Sequence, residues 1–174
     1  MIVYRHCDRR FPYLWESADQ PAARWHARGD GPVHYFADSP AGAWAEFVRH
    51  EEITDVEDLA GVERAIWAVE IGDIPPDRPA LADQILLGGM SSYAACQAEA
   101  RRLRSIDSLG MVTMSAALEA GEAAGWHVDE GSRRANPRNP QVIVLFGRRP
   151  DLEGWPVVSD GRPEPSILSD VRHF

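Results

Sequence analysis

Apolar positions along this chain fall mostly into short alternating or continuous runs, which predict strands, and recur at helical spacing in a few segments. Val33–Ala37 alternates with period two, which sets Val33, Tyr35 and Ala37 on one face and His34 and Phe36 on the other. Residues 2–5 predict a first strand. Residues 64–71 predict another, with Ile66, Ala68 and Glu70 opposed to Trp67, Val69 and Ile71. Residues 109–113 form a brief strand that delivers the chain to Ser115. The run from Val142 to Phe146 within residues 141–147 is unbroken, as in a central strand covered on both faces.

Ser39-Pro40 opens a helix, with serine as N-cap and proline at the first helical position. That helix runs to about His50 and sets Ala43, Trp44, Phe47 and Val48 on its apolar side, with Glu46 at the edge of that face. An acidic linker over residues 51–58 ends it. Prolines at 75, 76 and 79 interrupt the next stretch, and residues 80–87 predict a short helix before Gly88-Gly89. A longer helix, capped by Ser91 or Ser92, reaches Arg104 and buries Tyr93, Cys96, Ala100 and Leu103. Residues 16–32 and 129–140 read as loops, and the tail at 151–174 has the turn composition of a surface wrap. The pattern describes one α/β (α+β) domain over residues 1–174, with central mixed strands and flanking helices.

Composition narrows the chemistry. All 18 basic residues are arginine, which excludes a Schiff-base lysine and a lysine-dependent phosphate loop. Residues 51–100 hold eleven acids against Arg64 and Arg78, so the net charge of -9 resides in the middle of the chain. That balance disfavours direct nucleic-acid binding and suits either a solvated face or docking of a basic partner. No stretch approaches the roughly 20 apolar residues of a membrane span, and a cytoplasmic location is expected. Cys7 and Cys96 stand in no metal or redox pair, and the six histidines lack the spacing of a metal site. The loop arginines 133, 134 and 138 suit a solvated loop, or one that closes over phosphates.

Three side chains at even spacing combine into one kind of chemistry. Arg24 offers a bidentate fork for phosphate, Tyr35 an aromatic face, and Glu46 a carboxylate able to stabilise a developing cation. Each also has an ordinary structural reading: a loop arginine, a core tyrosine, and a surface glutamate paired with Arg49 or His50.

The order of motifs resembles the RES domain, a family of NAD-degrading toxins from bacterial toxin–antitoxin pairs. Tyr4-Arg5 matches its opening pair, and Ala22-Ala23-Arg24-Trp25-His26 its glycine-glycine-arginine-tryptophan-asparagine block. Gly29, Val33–Ala37, Ser39-Pro40, and Ala43-Trp44-Ala45-Glu46 with His50 follow in the family's order. Gly110 to Ser115 matches a glycine-led strand ending in serine, and Val142 to Phe146 the last strand. The resemblance spans residues 4–147 and is densest over 24–50. Alanines stand where the family has paired glycines, and His26 where it has asparagine.

The resemblance implies a fold related to ADP-ribosyltransferases and a reaction on NAD as substrate rather than resident cofactor. The expected activity is that of an NAD glycohydrolase or NAD phosphorylase, with water or inorganic phosphate as acceptor and an antitoxin protein as partner. ADP-ribosyl transfer to a protein or small molecule is one alternative. A catalytically weak NAD-binding or interaction protein is another. The implied catalytic residues are Glu46, Arg24 and Tyr35. Ser115 would hydrogen-bond the nicotinamide amide or ribose, Arg5 would add a second phosphate contact, and His26 would donate to phosphate or cover Trp25.

Overall fold

The computed structural model describes residues 1–72, 77–128 and 130–174. Pro75, Pro76 and Asp129, where the sequence predicts a break and the start of a polar loop, lie outside the described residues. The chain orders its elements as β1 (Ile2–Cys7), β2 (Val33–Ala37), α1 (Pro40–His50), α2 (Val56–Leu59), β3 (Arg64–Glu70), α3 (Asp83–Leu86), α4 (Tyr93–Arg104), β4 (Gly110–Met114), β5 (Trp126–Val128), β6 (Ser132–Arg134), β7 (Gln141–Phe146), β8 (Glu153–Gly161) and α5 (Ile167–Asp170).

Six strands form the central sheet in the order β4-β7-β2-β1-β3-β8, and helices flank it, as the α/β expectation requires. Each pairing between its named strands is antiparallel, where the sequence predicts mixed strands. The period-two reading of β2 holds, and β7 is covered on both faces as its unbroken apolar run predicts. Val33, Val142, Val144 and Phe146 pack with Cys96 and Leu103 of α4, while Phe36, Ile143 and Leu145 pack with Val3 and Val69 on the opposite face. The five apolar side chains of β7 are all buried, each contributing about 1.5–3 kcal/mol of burial free energy, an upper bound.

The sheet is not uniformly zipped. β1 follows β3 from the Ile2–Glu70 pair to Cys7–Ala65, and β2 follows β7 from Val33–Phe146 to Ala37–Val142. Between β1 and β2 the register joins only Tyr4 to Ala37, so the sheet opens beyond that point. Helix α1 lies against this opening. Ser39 caps it by accepting from Gly42 N–H at 3.1 Å. A Cβ on Gly42 would meet Ala37 Cβ at 3.0 Å, so a residue without a side chain lets α1 approach β2 closely.

Three local readings need correction. The acidic linker read over residues 51–58 runs into α2, whose last residue Leu59 is buried. The loop read over residues 129–140 contains β6, which pairs with β5 just before it, Trp126 opposite Arg134, a pairing that its polar composition conceals. Ser92 does not cap α4 by its side chain. It ends a 3₁₀ turn at Met90–Ser92, has helical backbone angles, and donates its hydroxyl to Gly89 O at 2.7 Å.

The tail does more than wrap the surface. β8 adds a sixth strand beside β3, and Ile167 and Val171 are buried against α1 and its neighbours. Long-range strand pairing leaves little local signature in a segment rich in turn residues, which is why composition suggests only a covering.

Gly110 offers a test of how tightly β4 seats on β7. An added Cβ would stand 2.5 Å from Val144 O and 2.8 Å from Leu145 Cδ2. Gly110→Ala is therefore expected to destabilise the protein by roughly 1–3 kcal/mol, seen as a lower midpoint in urea unfolding. An unchanged midpoint would contradict this packing.

Candidate active site

The opening between β1 and β2 continues into a cavity of about 280 Å³, walled by β1, β2, α1, the turn at 23–25, the start of α4, the end of β4 and Phe174. Glu46, Arg24, Tyr35 and Arg5 all line it, so side chains from a helix, a turn and two strands converge as the sequence reading requires. His26 and Ser115 stand one layer behind the wall.

Arg24 is presented by a tight turn in which Ala23 and His26 exchange backbone hydrogen bonds of 2.9 and 3.3 Å. Gln97 of α4 holds this turn by donating to Ala23 O and His26 O. Trp25 plunges into the core at 2% exposure while Arg24 turns to the cavity. Ala22 and Ala23 have no left-handed backbone angle, so this turn takes a conformation open to alanine.

The Arg24 fork is largely committed within the protein. Nη1 donates to Leu86 O at 3.1 Å and to Ser92 Oγ at 3.1 Å, Nη2 donates to Gly88 O, and the guanidinium lies 5.0 Å from the Tyr93 ring centroid. Its charge reaches the cavity more fully than its donors do. Arg5 is the reverse: Nη1 is buried with no hydrogen-bond partner, which leaves a donor for an anionic ligand. Burial lowers the Arg5 pKa from its ordinary value.

Glu46 sits one turn along α1 from Ala43. Ser115 Oγ donates to its Oε1 at 2.9 Å, and Ser115 Oγ in turn accepts from Ala117 N and Leu118 N at 3.1 Å each. Ser115 thus caps the strand end and orients the carboxylate at once. Burial raises the Glu46 pKa above its ordinary 4.5, against the opposing pull of the Ser115 hydrogen bond and of Arg24, Arg49 and His50. No ion pair of Glu46 with Arg49 or His50 occurs among the described residues.

Tyr35 gives the cavity its ring. Its hydroxyl accepts from Trp25 N at 3.1 Å and shares a 2.8 Å hydrogen bond with His26 Nδ1, and burial pushes its pKa up. His26 is itself buried; its Nδ1 hydrogen-bonds Tyr35, and its Nε2 is buried with no hydrogen-bond partner among the described residues. His6, on the wall beside Arg5, is pushed down to about 3 by burial and then by Arg64, Arg5 and His50, so it is neutral near pH 7.

Sequence reasoning missed several wall residues. Arg49 donates from Nη1 to Ala116 O and to Arg172 O at 3.0 Å, and from Nη2 to Gly88 O at 3.2 Å, beneath the Phe174 ring. Its spacing of three from Glu46 on one helix face was the available signal. Tyr93 and Thr113 also line the cavity, and the Thr113 Oγ1 is buried without a partner. Arg134 and Arg138 instead pair with Glu122 and Asp38 away from the cavity wall. Among the described residues no group of three or more His, Cys, Asp or Glu is placed to hold a metal ion, and no helix is long and apolar enough to cross a membrane.

The RES domain matches residues 2–165, which takes in every wall element except Phe174. The chain belongs to the RES domain family. The fold of this RES protein is similar to that of a chain in the crystal structure of the M. tuberculosis MbcT-MbcA toxin–antitoxin complex. The TM-score is 0.64 at 15% identity, over 97% of this chain and 86% of that one, a likeness of fold. No curated protein matches the sequence.

The raised Glu46 pKa makes a stability prediction. The unfolded carboxylate ionises at lower pH than the folded one, so stability falls as pH rises through this interval and the cost persists at pH 7. Glu46→Gln is expected to unfold at a higher temperature than wild type at pH 7, with the gap closing below pH 4.5. Calorimetric scans at the two pH values check this, and a less stable variant at pH 7 would contradict it.

Proposed function

We propose that this RES protein cleaves the bond between nicotinamide and ribose in NAD, with water or inorganic phosphate accepting the ADP-ribosyl group. One observation carries the reading. A single cavity holds an oriented carboxylate, the ring of Tyr35 and an unpartnered guanidinium nitrogen of Arg5.

The chemistry follows from where charge develops. As nicotinamide departs, the ribose becomes oxocarbenium-like, and ionised Glu46 beside it lowers the barrier and orients the incoming nucleophile. Ser115 is a positioning residue that fixes the Glu46 oxygen. The Tyr35 ring packs against nicotinamide or its ribose and excludes water from that side. Arg5 holds the pyrophosphate, and Arg24 and Arg49 add positive charge around it.

Purified protein with NAD is expected to release free nicotinamide, measured by chromatography with and without phosphate. Because Glu46 must be ionised, kcat should rise with pH through a pKa above 4.5. Glu46→Gln should lower kcat by on the order of 100-fold or more while retaining NAD binding. NAD bound without turnover would favour a binding protein, and ADP-ribose attached to a cellular target would favour transfer. Turnover by Glu46→Gln equal to wild type would remove that carboxylate from the mechanism.

We also propose an antitoxin partner, as the role of a RES toxin would require. The exposed acids Glu51, Glu52, Asp55, Glu57 and Asp58 suit a basic docking surface. The product of a neighbouring gene should co-purify with this chain, and charge-neutral substitution of those five residues should weaken the complex. Undiminished co-purification would place docking elsewhere.

A further inference from the structure

Phe174 lies beyond the residues matched by the family, yet it forms part of the cavity wall. One face of its ring rests 4.5 Å from the Arg49 guanidinium, measured to the ring centroid, and the residue is 48% exposed. Its base is rigid, because Arg49 is itself fixed by the carbonyls of Ala116, Arg172 and Gly88. The strand-like segment leading to it is equally tied down. Arg172 N donates to Ala117 O at 2.7 Å, and its guanidinium donates to Ser115 O and Leu118 O and pairs with Glu119. Gly89 flanks the edge of the ring, where an added Cβ would make ordinary contact with Phe174 Cδ1 at 3.6 Å.

An aromatic ring held on a cation, with its remaining surface open to a cavity, is suited to stack a planar base. Depth identifies which base. Glu46 and Tyr35 lie deeper, whereas half-exposed Phe174 stands at the mouth. A dinucleotide with its scissile bond at Glu46 directs its pyrophosphate and second nucleoside outward. We propose that Phe174 is the stacking platform for the adenine half of NAD, a positioning role that rests on the NAD reading above.

The test uses the full chain and two half-ligands, AMP and nicotinamide mononucleotide, in calorimetric titrations alongside NAD kinetics. Phe174→Leu keeps apolar bulk over Arg49 and removes the aromatic face. It is expected to weaken AMP binding and raise the KM for NAD roughly tenfold, with kcat and nicotinamide mononucleotide binding unchanged. Phe174→Trp should restore both. Unchanged AMP affinity in Phe174→Leu, equal loss for both half-ligands, a lowered KM, or no AMP binding by wild type would overturn the proposal. The same is true if Tyr93→Leu alone causes the adenine-specific loss. AMP binding that depends on Phe174 in a protein that never cleaves NAD would sink the catalytic reading and leave the platform standing.

Discussion

The Glu46 carboxylate is carried on a helix pressed into a gap between two strands, and much of the surrounding structure answers to that placement. Taking a carboxylate out of water is costly unless hydrogen bonds and opposite charge compensate. Here one hydrogen bond comes from Ser115 at 2.9 Å, and Arg24 and Arg49 supply positive charge from two other directions. Compensation is incomplete, and burial still dominates the direction of the Glu46 pKa. The cavity therefore holds a carboxylate whose ionised form would be favoured by positive charge developing on a nearby ligand.

The two arginines share a structural partner as well as a charge. Arg24 Nη2 and Arg49 Nη2 both donate to the carbonyl of Gly88, one from the turn before β2 and one from α1. A side chain at Gly88 would be crowded, since a Cβ would meet Gln84 O at 3.0 Å and Ser92 Oγ at 3.1 Å. The carbonyl thereby joins the loop between α3 and α4 to both walls of the cavity. Each guanidinium also lies over a ring, Tyr93 or Phe174, so aromatic side chains and cations alternate around the cavity.

Local elements were legible in the sequence because their causes are local. Ser39-Pro40 starts α1 through a cap and a fixed backbone angle, and the alternation over Val33–Ala37 predicts which residues of β2 face each side. The convergence of Arg24, Tyr35 and Glu46 came from the family pattern, since no spacing argument joins a turn, a strand and a helix. What stayed hidden depends on contacts across long stretches of chain. Arg49 reaches Arg172 O, Phe174 closes a wall formed mainly by residues far earlier, and β8 pairs with β3 despite its turn-rich composition. Neither propensity nor periodicity encodes such pairings.

The hydrogen bonds also separate two ways in which a family motif can matter. Arg24 and Ser115 belong to the motif, but their donors are turned mainly to the protein: Leu86, Gly88 and Ser92 for the arginine, Glu46 for the serine. Arg5 retains a buried donor with no protein acceptor. A side chain whose bonds are satisfied internally builds the site, and its loss disturbs the fold and the ligand together. An unsatisfied one costs stability in the empty protein and regains it only when a ligand supplies the acceptor. On this distinction Arg5 is the arginine best placed to couple ligand charge to the cavity, while Arg24 and Ser115 maintain the geometry in which Glu46 can act.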